Sequence, residues 1–184
     1  MLRQNDTLIT QCIKEYFDAI ETIPDHDIEI VGNILMYLYN SNWTLSKYIV
    51  SKVTDDSQLC KILSVENSDK YNLLIYICKD SSIDIIDWII NIMPRDHPAL
   101  LAKESVYGKT ALIYLIERAL LNSAESLLNK VSNQNLRLQL IQVKDYDGKS
   151  ILDDAKQQNI PNQKRLPNTI ANDNIGVEWY FITN

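Results

Sequence analysis

Glycine and proline are scarce, at 4 and 5 in 184 residues. Few breakers among many Ile and Leu predict long helices with short connections. All five prolines, Pro24, Pro94, Pro98, Pro161 and Pro167, fall between periodic segments. Cysteines number only three, and Cys12, Cys60 and Cys78 lack metal-ligand spacing. That predicts free thiols in a reducing, cytoplasmic setting. Positive charge is in deficit, with 18 Lys and Arg against 24 Asp and Glu, a net charge of -6. Nucleic acid is therefore excluded as an expected partner, because phosphate binding needs a clustered positive surface. The local basic group at Gln163 to Arg165 is too small to change this. Long apolar runs are missing too. The most apolar window, "IDIIDWIINIM", is cut by Asp84 and Asp87, so no membrane insertion is expected. No apolar stretch of the signal-peptide kind follows "MLRQNDTLIT", and the sequons at Asn5 and Asn42 then carry little meaning. What is present is 46% hydrophobic residues at a mean hydropathy of -0.18. This is ordinary for one globular domain, which at this length buries about 70% of its unfolded surface.

"YGKTALIYLIER", Tyr107 to Arg118, raises a choice between a phosphate-binding loop and a turn opening a helix. A P-loop needs a glycine five residues before its GK pair, so that the backbone curls around phosphate. Lys103 holds that position here, and Val143 holds it in the second copy, "DYDGKSILDDA". The turn reading is preferred.

Gly108 and Gly148 stand 40 residues apart, which suggests a repeat. Stepping back from Lys109 gives "DKYNLLIYICKD", Asp69 to Asp80, with Lys70 in the place of Lys109 and Asp69 in that of Gly108. A further step finds "IVGNILMYLYN", Ile30 to Asn40, which carries the apolar pattern without the turn. Each copy precedes a second helical stretch: "TLSKYIVSKV", "SIDIIDWIINIM" and "NSAESLLNKV". Ser82 and Asn122 are the expected N-caps. Ala124, Leu127, Leu128 and Val131 form one apolar stripe. Each unit is thus helix–turn–helix and needs stacked neighbours to bury its stripes.

"YGKTALIYLIERALLNSAESLLNKV" resembles an ankyrin repeat, and "DYDGKSILDDAKQQN" resembles a terminal one. Gly108, Thr110 and Leu112 match the turn and first helix of the pattern D-x-x-G-x-T-P-L-H-x-A, and Leu127–Leu128 match the closing pair. Asp145, Gly148, Ser150, Leu152 and Ala155 match the next copy. The departures are Ala111 or Ile151 for the proline and Ile113 or Asp153 for the histidine. Ala119 and Asp80 stand where a glycine would end the first helix. The units also exceed the usual period of about 33, and "SNQNLRLQLIQV" is expected to form an extra short helix. The resemblance implies an all-α solenoid of stacked helix–turn–helix repeats in one domain, 1–159. A helical cap covers 1–23, repeats cover about 26–53, 66–93, 104–131 and 144–159, and residues 160–184 form an irregular tail that can dock through "VEWYFI".

No catalytic constellation stands out. "PDHDIE" around His26 outlines a metal site, but no ligand spacing supports it, so an acidic loop is expected. "PRDHP", with His97, reads as an inter-repeat loop. Cys60 and Cys78 lie in apolar helical surroundings and read as small hydrophobes. Asp153 and Asp154 are adjacent on a helix and point to different faces. Trp88 reads as core, Trp43 as the start of an outer helix, and Trp179 lies in the tail. No cofactor, metal or catalytic residue is assigned.

The resemblance implies a protein-binding scaffold rather than an enzyme; the alternative is an enzyme built on a helical solenoid. It places a partner on the hairpin tips and the exposed side of the inner helices. On this chain these are Glu66, Asn67, Ser68, Asp69 and Lys70, then Val106, Tyr107 and Lys109, then Tyr146, Asp147 and Lys149. The inner-helix positions are Cys78 and Lys79, Glu117 and Arg118, and Gln157. Tyr107 and Tyr146 are candidate hot spots, since tyrosine brings rigid area at low entropy cost; the competing reading is that they only shield the turn. The resemblance further implies a small effector, immunity-type protein or inhibitor of the kind found in intracellular bacteria or large DNA viruses. The acidic balance implies one protein partner, an enzyme with a basic patch.

Overall fold

The computed structural model describes residues 2–151, and every structural statement concerns those residues. The expectations for Leu152, Asp153, Asp154, Ala155, Gln157, Trp179 and the tail lie outside them.

The described chain is all-helical, with isolated antiparallel bridges only at Glu66–Asn72 and Lys144–Ser150. Ten α-helices follow in order: α1 (Leu2–Ala19), α2 (Ile28–Ser41), α3 (Trp43–Val50), α4 (Asp56–Leu63), α5 (Leu73–Asp80), α6 (Ile83–Ile92), α7 (Pro98–Leu101), α8 (Ala111–Glu117), α9 (Leu121–Leu128) and α10 (Gln134–Gln142). None of them is long and apolar enough to cross a membrane.

The expectation of long helices fails. Only α1 and α2, at 18 and 14 residues, exceed ten. Short polar side chains set many of the helix starts, and Pro94 follows the end of α6, where Met93 turns extended. Asn42, Asp55, Asn72, Thr110 and Asn133 each accept a hydrogen bond from the backbone N–H three residues on. Such a cap satisfies an orphan donor and fixes where a helix starts. Two expected caps differ. Ser82 does precede α6, but its hydroxyl makes no capping bond. Asn122 lies inside α9, whose N-cap is Leu120.

Helices α2, α5 and α8 pack side by side as an inner row, and each is followed by its outer partner, α3, α6 or α9. Helix α1 packs on α3, and α4 lies against α2 and α5. One apolar cluster runs through the whole stack, from Phe17 to Ile151. Helix α8 packs against α5 and α9, with Ala111, Leu112, Ile113, Tyr114, Leu115 and Ile116 all buried. A helix buried on every side is apolar on every side, and each of its Leu and Ile side chains contributes about 1.5–3 kcal/mol. The α9 stripe Ala124, Leu127, Leu128 and Val131 is buried as expected. Trp88 is half-buried and meets Trp43 edge-on, with ring centroids 4.6 Å apart.

Helix α8 ends in a Schellman turn. The N–H of Leu120 donates to Leu115 O at 2.9 Å, and that of Ala119 to Ile116 O at 2.8 Å. This geometry puts Ala119 in the left-handed region, φ 57°, where glycine is the usual residue. The exposed Ala119→Gly change is therefore expected to stabilise the fold by about 0.5–1 kcal/mol, relief of left-handed strain outweighing the added unfolded-state freedom. Urea unfolding of both chains measures it.

Side chains fasten the unit of α8 and α9 to that of α5 and α6. The Arg118 guanidinium donates to Cys78 O at 2.8 Å and to Ser81 O at 2.6 Å. Ser123 Oγ donates to Asp87 Oδ1 at 2.6 Å. Lys130 Nζ donates to Asn91 O at 2.8 Å and Met93 O at 2.9 Å, at the end of α6.

Candidate protein-interaction surface

Three tight turns precede helices or helix starts in successive units, and they share one hydrogen-bond scheme. Asn67 N–H donates to Tyr71 O, Ser105 N–H to Lys109 O, and Asp145 N–H to Lys149 O, at 2.9–3.0 Å. Inside each turn a second bond closes: Lys70 to Asn67 O, Gly108 to Ser105 O, and Gly148 to Asp145 O. The first residue also clamps the turn with its side chain. Asn67 Oδ1 accepts from Asp69 and Tyr71 N–H at 3.0 Å. Asp145 Oδ1 accepts from Asp147 and Lys149 N–H at 3.0 and 2.9 Å. Ser105 Oγ accepts from Tyr107 N–H at 3.2 Å. Asn, Asp and Ser are suited to this because a short side chain reaches the N–H two residues on.

These bonds correct the register of the first turn. Lys70, not Asp69, stands where Gly108 stands, and Tyr71 takes the place of Lys109. Lys70 has φ 56°, matching Gly108 at 72° and Gly148 at 74°. Alignment on the lysines slipped by one residue because a lysine in the left-handed region leaves no mark in a sequence. The positive φ expected at Gly108 and Gly148 is present.

The turns join in a ladder along the stack. Val106 N–H donates to Asp69 O at 3.3 Å, and Tyr146 N–H donates to Tyr107 O at 3.1 Å. The tips are thereby held at fixed spacing. Their side chains point outward: Tyr107 is 58% exposed and Tyr146 73%. Val106, Ser68, Lys70 and Asp147 are also exposed, while Asn67 and Lys149 are half-buried. The Tyr146 ring lies over Gly108, so close that a Cβ there would come within 2.5 Å of it. Tyr146 therefore both covers a turn and presents most of its area to solvent.

The inner-helix candidates are more engaged. Lys79 pairs with Asp80 at 2.9 Å and lies over the Tyr71 ring, 5.4 Å from its centroid. Lys109 pairs with Glu117, stands 3.9 Å from Asp145 and lies 5.9 Å from the Tyr114 centroid. Arg118 is half-buried and spends its guanidinium on the α5 terminus. Beneath them runs a row of tyrosines: Tyr39 with Tyr76 at 4.9 Å, Tyr76 with Tyr71 at 6.3 Å, and Tyr71 with Tyr114 at 6.1 Å. Burial, above all, raises the phenol pKa of Tyr39 and Tyr71. Tyr39 and Tyr71 thus stay neutral, and the row acts as packing.

Charge is unevenly placed. In and beside the three turns and at the ends of α5 and α8, Lys70, Lys79, Lys103, Lys109, Arg118, Lys144 and Lys149 are matched by Glu66, Asp69, Asp80, Glu104, Glu117, Asp145 and Asp147. The excess acid gathers at the start of the stack. Glu15, Asp18, Glu21, Asp25, Asp27 and Glu29 fall in a stretch without a Lys or Arg. His26 lies there in a 3-10 turn, Asp25–Asp27, with its side chain 83% exposed. Net charge alone could not show that the tips are electrically balanced.

The thiols are buried at Cys60 and Cys78, and burial pushes them up to about 11 and about 12. A neutral buried thiol is a poor nucleophile. No group of three or more His, Cys, Asp or Glu placed to hold a metal is found among the described residues.

No protein-family model matches the chain. No curated protein matches it either. Among solved structures, the chain is similar to a crystal structure described as an ankyrin repeat protein. That likeness has 16% identity and a TM-score of 0.47, covering 85% of this chain and 90% of the other.

Proposed function

We propose that this chain is a scaffold that binds a partner protein through its hairpin tips and regulates that partner by occupying it. One observation carries the reading: Tyr107 and Tyr146 are large, rigid and exposed, and a backbone hydrogen bond between their own residues sets them side by side. Aromatic area held at fixed spacing is what an interface hot spot needs, because little entropy is lost on binding. Val106, Ser68, Lys70, Asp147 and Lys149 form the adaptable border around it. Arg118, Glu117 and Lys109 contribute by holding the tips and inner helices in place, and Asn67 by clamping its turn. The even charge of this face favours a partner surface of mixed sign. A basic partner patch would instead meet the acidic start of the stack.

The double change Tyr107→Ala with Tyr146→Ala is expected to keep unfolding within about 1 kcal/mol of the parent, as exposed positions do. It is expected to weaken partner binding by about 2 kcal/mol or more. Calorimetry against a partner isolated by affinity purification decides it, and equal affinities would remove the tips from the interface.

A further inference from the structure

Away from the tip residues, a cavity of about 380 Å³ opens between the ends of α3 and α6 and the start of α4. Val50, Val53, Leu59 and Ile92 supply apolar lining, Trp88 an aromatic wall, and Asp55 and Asp56 two carboxylates. The interval between α6 and α9 shows what such a place takes. There Lys130 lays its ammonium on Asn91 O, in the last turn of α6, and on Met93 O, just past its end. Asp56 favours that charge, acting against burial, which lowers the Lys130 pKa, and against the nearby Arg95.

Counted from the N-caps Ser82 and Leu120, the residue of α6 that corresponds to Lys130 is Ile92. Counted from Asn42 and Ser82, the residues that correspond to Asn91 and Met93 are Ser51 and Val53. Ile92, Ser51 and Val53 all line the cavity. By this count alone, an isoleucine stands in the cavity where the later unit has its cation, beside the carboxylates of Asp55 and Asp56. The C-terminal carbonyls of a helix attract positive charge, and an aromatic face does the same. Lys47 also lines the cavity, but its ammonium leans on Trp43, 5.8 Å from the ring centroid.

We propose that this cavity is a binding site for a lysine or arginine side chain presented by a partner protein, its stem against Val50, Leu59 and Trp88 and its charge toward Asp55, Asp56 and the end of α3. The site is separate from the tips and does not depend on them.

The probe is Nα-acetyl-lysine N-methylamide, its ε-ammonium free, with its norleucine counterpart as the uncharged control, titrated into isotope-labelled protein and followed by amide and indole NMR shifts. The expected result is a saturable response at Ser51, Val53, Asp55, Asp56 and the Trp88 indole with the lysine compound and none with norleucine. Asp55→Asn with Asp56→Asn, which keeps a side-chain oxygen at the cap, is expected to abolish it. Ile92→Lys, which supplies the cation from within, is expected to abolish it as well. Tyr107→Ala with Tyr146→Ala is expected to leave it unchanged. No saturable response, an equal response to norleucine, or full response in the Asn double variant overturns the proposal. The Asn variant decides the matter even where the Lys variant does not fold.

Discussion

Arg118→Ala is expected to lower the unfolding free energy by about 3 kcal/mol, because two charge-assisted hydrogen bonds are lost and buried acceptors are left unpaired. The acceptors are Cys78 O and Ser81 O, at the end of α5, and both residues are buried. Arg118→Lys is expected to recover less than half of the loss, since an ammonium cannot reproduce the fork that reaches two carbonyls at once. Urea unfolding of the three chains measures this. A loss within about 0.5 kcal/mol, the range of ordinary surface changes, would return Arg118 to the group of free surface residues.

The two turn glycines are expected to respond unequally to the same substitution. Both have positive φ, near 72° and 74°, so alanine strains either backbone by about 1 kcal/mol net of its effect on the unfolded chain. Around Gly148 nothing lies within 4 Å of an added Cβ. Gly148→Ala should therefore cost only that strain, and Gly148→Val somewhat more. At Gly108 the added Cβ meets the Tyr146 ring at 2.5 and 2.8 Å and Tyr146 N at 3.0 Å. The ring must swing away, and the Tyr146 N–H bond to Tyr107 O must stretch with it. Gly108→Ala is expected to cost about 3 kcal/mol, strain and clash together. Thermal unfolding of the two variants side by side makes the comparison. Equal costs would mean that the tips do not pack on each other.

The positions most legible in the sequence were those where one residue type answers one backbone need. Gly108 and Gly148 announced their turns because other residues pay to adopt that φ. Thr110 announced the start of α8, and Leu127–Leu128 the buried stripe of α9. Lys70 and Ala119 hold the same left-handed geometry without a telltale side chain, so the first turn was misplaced by one residue. Helix α4 falls between the expected repeats 26–53 and 66–93, and only the helical surroundings of Cys60 pointed to it. Its Asp55–x–x–Gln58 pattern was the available clue, and Asp55 does cap Gln58 N–H at 2.7 Å. The fastenings of Arg118, Ser123 and Lys130 were illegible in principle. Each reaches 36–40 residues back in the chain, so its partner exists only once the units are stacked. The same holds for the ladder that joins the tips, which is backbone to backbone and carries no residue preference. For the candidate surface, exposure of Tyr107 and Tyr146 was readable as a possibility, whereas the engagement of Lys109, Glu117 and Arg118 within the stack was not.

The central claim is that the tips, and not the apolar positions exposed elsewhere, meet the partner. Site-specific photo-cross-linking tests it most directly. A benzophenone amino acid replaces Tyr107 in one chain, Tyr146 in a second, Tyr37 in a third and Ile83 in a fourth, the last two being exposed positions on α2 and α6. The account predicts that irradiation with the purified partner joins it to the chains labelled at 107 and 146, and leaves those labelled at 37 and 83 free. Cross-links at 37 or 83 without any at 107 and 146 would contradict it.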